Sequence, residues 1–116
     1  MSHLIFKRRI GYIWPKKLYN RKIILLYHSV GDNLWAMPKK NFLDQINWIS
    51  DYCHILNLSE LIKSKSDNNI QVSITFDDGY ASLYHQVIPF LKEKKINATV
   101  YINTGWIGKN EDHLCN

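Results

Sequence analysis

The chain has 116 residues, with 46% hydrophobic and 22% charged, which excludes a disordered chain and fits one globular domain with a core of its own. Its net charge of +5 is unevenly divided: residues 1–40 hold nine Lys and Arg against one acid, Asp32, whereas residues 41–116 hold six against nine acids. A uniformly basic domain is therefore excluded, and the cationic character belongs to the N-terminal segment.

Within residues 1–22, Lys7, Arg8, Arg9, Lys16, Lys17, Arg21 and Lys22 are interleaved with Phe6, Tyr12, Ile13, Trp14 and Tyr19. We expect this basic aromatic segment to stand apart from a domain at 23–116. It reads as a solvated arm or first strand and linker, as a contact with an anionic membrane surface, or as a nucleic-acid contact. Of these partners the membrane surface is retained and nucleic acid is not. The apolar stretch after residues 7–9 is broken by Pro15, Lys16 and Lys17, too early for a secretion signal. A charge-free run at 96–108 carries Asn97, Thr99, Asn103 and Thr104 and falls short of a spanning helix. The expected location is cytoplasmic, with peripheral membrane contact through the basic segment.

Residues 23–30, Ile-Ile-Leu-Leu-Tyr-His-Ser-Val, form an apolar run closed by Gly31-Asp32-Asn33. That predicts a strand buried on both faces, as in parallel sheets. Pro38 precedes Phe42, Ile46, Ile49 and Cys53, whose spacing predicts an amphipathic helix with Cys53 on its apolar face as a core thiol. Residues 55–58 are a second short apolar stretch. Ser59 is expected to cap a short helix over 60–63, and 64–69 is a polar loop. A strand follows at 70–76. A helix is predicted over 80–95, with Leu83, Val87, Phe90 and Leu91 on one face, Lys92, Lys94 and Lys95 at its C-terminal end, and a kink at Pro89. Residues 98–102 form the last strand. Cys53 and Cys115 lie far apart with no metal-ligand spacing, so neither a disulfide framework nor a structural zinc site is indicated.

This alternation predicts an α/β fold with mainly parallel strands and helical crossovers. A closed parallel barrel needs about eight strands. The chain is therefore a small open sheet or the first part of something larger.

Asp77 and Asp78 stand at the C-terminal end of a predicted strand, the edge where α/β folds gather their chemistry. Neighbouring residues of a regular strand point to opposite faces. Two adjacent carboxylates can serve one site only where the chain turns, and Gly79 allows that turn. One carboxylate can then hold a divalent metal while the other takes a proton from water. Alternatively, both simply favour the start of the following helix.

Thr75-Phe76-Asp77-Asp78-Gly79 resembles the first motif of the polysaccharide deacetylases, also called carbohydrate esterase family 4 or the NodB-type domain. Leu26-Tyr27-His28-Ser29-Val30 is similar to the first strand of many members. Ile88-Pro89-Phe90-Leu91, Ile96-Asn97-Ala98-Thr99-Val100-Tyr101-Ile102 and Thr104-Gly105-Trp106-Ile107-Gly108 are similar to the helix, strand and loop that follow. The resemblance covers 23–108. It implies the N-terminal portion of a distorted (β/α) barrel, with the core motif region at 70–116. The implied activity is metal-assisted removal of acetyl groups from an acetylated poly- or oligosaccharide. Carried over by position, Asp77 is the expected general base and Asp78 a ligand of a divalent metal, usually zinc.

The family takes two further ligands from a later His-x-x-x-His motif. Here His3, His28, His54, His85 and His113 include no such pair. The later Arg-, Asp- and Leu-x-His motifs, the last supplying a general acid, are also missing. The expectation is a chain with little or no activity that does not retain zinc by itself.

His28, at the end of the first strand, is a candidate substrate contact or a structural histidine. His85 is expected to be structural, and His54 and His113 to lie at the surface. Trp106 could stack on a sugar or anchor its loop. The alternative function is a non-catalytic glycan- or partner-binding module of the same fold. A small domain holding Mg²⁺ for phosphate chemistry lacks a Gly-rich phosphate loop.

Overall fold

Along residues 71–78, Val72, Ile74 and Phe76 alternate with Ser73, Thr75 and Asp77, and this stretch forms the centre of the sheet. The computed structural model describes residues 20–108. The basic segment up to residue 19, with the membrane contact expected of it, and the tail 109–116, with His113 and Cys115, lie outside the described residues.

The elements are β1 (Lys22–Tyr27), α1 (Lys39–Tyr52), β2 (His54–Ile55), α2 (Leu58–Lys63), β3 (Gln71–Asp78), a π-helical turn (Leu83–Val87) running into α3 (Ile88–Glu93), β4 (Thr99–Ile102) and a 3₁₀ turn (Thr104–Trp106). Every strand pairs in parallel with β3. β1 lines one edge from Lys22 opposite Gln71 to Tyr27 opposite Phe76. The other edge is shared end to end, by β2 at Gln71 and Val72 and by β4 from Thr75 to Asp78. The expected parallel α/β order is thus observed.

One face of this sheet is covered by helices. Phe42, Ile46 and Ile49 of α1 pack with Leu83, Val87 and Leu91 against Tyr27, Val72, Ile74 and Phe76. The rings of Phe42 and Tyr27 meet edge to face at 5.2 Å, and Phe42 lies 5.9 Å from Phe76. The Tyr27 hydroxyl leaves the core by donating to Gln45 Oε1 at 3.0 Å, and burial raises its pKa.

The opposite face departs from expectation. Ile24 and Leu26 are 56% and 55% exposed, so β1 is not buried on both faces. Strand alternation sends Ile23, Leu25 and Tyr27 to the helix layer and Ile24 and Leu26 away from it. The central strand is better covered on that side, where Gln71, Ser73 and Thr75 are buried, so the exposure is confined to the edge.

One local expectation is corrected and two are refined. The cap of α2 is Asn57, not Ser59: Asn57 Oδ1 accepts from the Glu60 N–H at 2.8 Å, and the Glu60 carboxylate accepts from the Asn57 N–H at 3.2 Å. This reciprocal capping box needs the acid three residues after the cap, and Glu60 stands at that distance from Asn57. Cys53 lies one residue past α1 and packs half-buried against the core, which raises its thiol pKa. The helix predicted over 80–95 is observed over 81–93, and the irregularity expected at Pro89 takes the form of a π-helical turn just before it. The Ile88 N–H donates to the Leu83 carbonyl, a five-residue step. Pro89 lacks an N–H, and its ring would clash with the carbonyl four residues back in a regular helix; the wider turn relieves that conflict.

Candidate active site at the strand ends

Because the strands are parallel, their C-terminal ends lie on one edge of the sheet. Asp77 and Asp78 close β3, His28 follows β1, and Asn103 follows β4. Thr75 and Asp77 share the face turned away from the helices. Thr75 is pinned there by its hydroxyl, which donates to the Leu25 carbonyl at 2.8 Å.

The turn that brings two adjacent carboxylates to one edge is made by Asp78 as well as Gly79. Asp78 has φ 69° and Gly79 φ 68°. The Gly79 N–H donates to the Asp77 carbonyl at 2.9 Å, closing a three-residue γ-type turn, a strained conformation for an L-residue. A Cβ on Gly79 would meet Ile102 atoms no closer than 3.8 Å, so backbone angle rather than space favours glycine there.

His28 Nε2 lies 3.9 Å from Asp77 Oδ2, with both side chains partly exposed. That is too long for a hydrogen bond but close enough for attraction when the imidazole is protonated. Ser29 Oγ and Ser82 Oγ, 3.2 Å apart, tie the chain after β1 to the chain after Gly79. The structure therefore brings His28, Asp77 and Asp78 to one edge.

It does not gather the other candidates there. His85 is exposed, with its ring edge-on to Tyr84 at 5.2 Å, rather than structural. His54 Nδ1 lies 3.6 Å from Asp67 Oδ2, at the opposite end of the sheet. Trp106 is half-buried, its ring 6.4 Å from Tyr80, so it anchors the loop after β4. Sequence reasoning missed Tyr101, which pairs in register with Asp77, shares its face and is 51% exposed. Only the strand register reveals that neighbour.

A catalytic zinc takes about three protein ligands. Among the described residues no group of three or more His, Cys, Asp or Glu side chains is placed to hold a metal. The acidic pair fits part of a ligand set and not a whole one.

The polysaccharide deacetylase family model matches residues 64–115, the stretch that carries the acidic pair. YxkH of Bacillus subtilis, which bears a polysaccharide deacetylase name, is 35% identical over 96 residues, 78% of this chain and 33% of its own length. The chain carries part of a polysaccharide deacetylase domain. The poly-β-1,6-N-acetyl-D-glucosamine N-deacetylase of Staphylococcus aureus is 31% identical over 83 residues, 68% of this chain and 29% of its own length. The chain thus spans a third or less of these curated relatives.

Among solved structures, IcaB from Ammonifex degensii superposes with a TM-score of 0.73 at 23% identity, over 84% of this chain and 45% of that one. A de-N-acetylase from Aggregatibacter actinomycetemcomitans gives 0.65 at 25% identity, over 75% and 39%. The fold is therefore the N-terminal part of the deacetylase barrel. The open face of β1 is in keeping with that, since a barrel strand has an outer face under helices and an inner face toward the other strands.

Proposed function

We propose that this chain supplies part of the active site of a polysaccharide deacetylase, a hydrolase that releases acetate from N-acetylated sugars. The observation that carries the reading is the strained turn at Asp78, which sets two neighbouring carboxylates at one sheet edge within a deacetylase-type fold. Asp77 is the proposed general base: it takes the proton of the water that attacks the acetyl carbonyl, and His28 beside it is placed to orient substrate. Asp78 is the proposed metal ligand. A divalent metal, zinc by the family resemblance, would supply polarisation of water and carbonyl. The remaining ligands are not among the described residues, so we derive no step through the metal and expect this chain alone to release little or no acetate.

The domain division, a basic segment at 1–22 ahead of a partial deacetylase domain at 23–116, is part of the same proposal. The substrate class is an acetylated poly- or oligosaccharide. Peripheral contact of 1–22 with an anionic membrane surface, and a cytoplasmic site of action, are proposed on charge and composition alone. Among the described residues no helix is long and apolar enough to cross a membrane.

Two measurements test the site. Acetate release from an N-acetylglucosamine oligomer with added zinc should be negligible for the 116-residue chain, and robust turnover would refute that claim. Residues 20–108 exchanged into the matching region of YxkH should give a hybrid that releases acetate. Asp77→Asn in that hybrid should lower turnover by about 10²–10⁴-fold, the usual worth of a general base. A hybrid indifferent to Asp77→Asn would overturn the assigned role.

A further inference from the structure

The parallel pairing of β1 with β3 ends at Tyr27 opposite Phe76. His28 and Asp77 are the next residue on each chain, so the two side chains that approach to 3.9 Å stand one step beyond the ladder that aligns them. Asp77 keeps support on its other side, where β4 continues with Tyr101 opposite Asp77 and Ile102 opposite Asp78. The chain after His28 is fastened differently. The Met37 N–H donates to the Ser29 carbonyl at 2.9 Å and the Gly31 N–H to the Met37 carbonyl at 3.0 Å. Those bonds close the loop ahead of α1 and do not relate it to β3.

A pair of hydroxyls makes that relation. Ser29 Oγ and Ser82 Oγ lie 3.2 Å apart, partly buried. Ser29 directly follows His28, and Ser82 follows the turn at Asp78 and Gly79. Ser82 occupies the N-cap position of the π-helical turn, yet its side chain makes no capping hydrogen bond. Its hydroxyl therefore serves the contact with Ser29 and not the helix it precedes. Val30 and Leu83, the residues after each serine, are both buried in the core. The contact thus joins two anchored chains just beneath the partly exposed His28 and Asp77.

We propose that Ser29 and Ser82 are positioning residues whose hydrogen bond holds His28 against Asp77 where the β1–β3 ladder has ended. The inference rests on the deacetylase reading and deepens it, adding what relates the proposed base to the histidine beside it. Neither hydroxyl reaches the reacting atoms; both act through His28. Groups at a reaction centre need supporting hydrogen bonds that fix their geometry, and a small displacement is costly. An exposed imidazole one residue past a strand end has few other restraints.

The test is nuclear magnetic resonance of the isotope-labelled 116-residue chain. A nuclear Overhauser contact between the His28 ring and the Asp77 methylene protons should be present. It should be lost in Ser29→Ala and in Ser82→Ala and return in Ser82→Thr, which keeps the hydroxyl. The amide resonances of Val72 and Ile74 should stay in place throughout, separating loss of the contact from loss of the fold. A contact absent from the unsubstituted chain, or persisting in both alanine variants, would overturn the proposal, as would a general shift of the β3 amides. The functional measurement uses the YxkH hybrid that carries residues 20–108. There Ser82→Ala should lower kcat/KM about two- to tenfold, the worth of one hydrogen bond. That loss should vanish when His28 is already alanine, because Ser82 acts through it. Full additivity of Ser82→Ala and His28→Ala would overturn the positioning role and leave the deacetylase reading standing. A hybrid indifferent to Asp77→Asn would overturn both.

Discussion

Asp78 sits where an L-residue is strained, and the stability effect of replacing it has a definite sign. Its φ of 69° lies in the left-handed region, locked by the Gly79 N–H on the Asp77 carbonyl. That backbone costs an ordinary L-residue about 1–2 kcal/mol, and Asp somewhat less. Glycine avoids the cost in the fold but loses more freedom on folding, about 0.5–1 kcal/mol relative to Ala. The Asp78 carboxylate makes no hydrogen bond or ion pair among the described residues, so deleting it removes no contact there. Asp78→Gly should therefore be neutral to stabilising, by up to about 1 kcal/mol. Asp78→Ala should destabilise by about 0.5–1 kcal/mol, and Asp78→Val by more, because a β-branched residue tolerates this region least. Urea unfolding followed by circular dichroism gives the order directly. If Asp78→Gly proved less stable than Asp78→Ala, the strained turn would be refuted. If the expected order holds, a carboxylate is retained at a position where glycine folds better, which is how strain at functional sites arises.

Asn57→Ala should cost about 1 kcal/mol through loss of the cap of α2, whereas Ser59→Ala should stay within about 0.5 kcal/mol; equal effects in urea would restore Ser59 as the cap. Ile74→Ala, fully buried under the helices, should cost about 2–5 kcal/mol and Leu26→Ala, half-exposed on the other face, about 1 kcal/mol or less; equal losses would show that the face of Leu26 is covered. The Asn69 N–H, donating at 2.8 Å, holds the Asp67 carboxyl below its usual range, with His54 and Gln71 adding to it. A depressed folded value stabilises above the unfolded carboxyl range of about pH 4 and is lost as pH falls through the lower folded value, so Asp67→Asn should flatten the decline of Tm in that acid window. An unchanged decline would exclude the contribution.

What the sequence revealed was what local pattern controls. The spacing of Phe42, Ile46 and Ile49 requires a helix with one apolar face, and the alternation in 71–78 requires a strand, so element order and the helix-packed core were legible. Three kinds of feature were not. Exposure of Ile24 and Leu26 depends on what lies across the sheet, and an apolar run carries no such information. Asn57 and Ser59 are both good caps, and the choice falls to Glu60, whose carboxylate reaches the backbone of only one of them. The neighbourhood of Asp77 depends on strand register: Tyr101 lies far away in sequence and beside it in space. The motif located the acidic pair, but not that Asp78 itself takes the left-handed turn, since Gly79 offered a sufficient explanation.

The two faces of β3 divide the work. A helix layer against one face of a sheet already makes a two-layer fold, and here Val72, Ile74 and Phe76 supply it. The other face is covered only in part: Ile24, Leu26 and Tyr101 are half-exposed, Ser73 and Thr75 are buried, and the Ser73 hydroxyl has no hydrogen-bond partner among the described residues. Parallel sheets are ordinarily covered on both sides, so these residue types suit an inner barrel surface. Yet the position of the acidic pair does not depend on that surface. β1 and β4 fix the end of β3, the γ-type turn orients Asp78, and the Ser29–Ser82 contact holds the loop beside them. All of these lie within residues 20–108. The carboxylate geometry is therefore intrinsic to this part of the domain, and among the described residues no group of three or more metal-ligating side chains accompanies it.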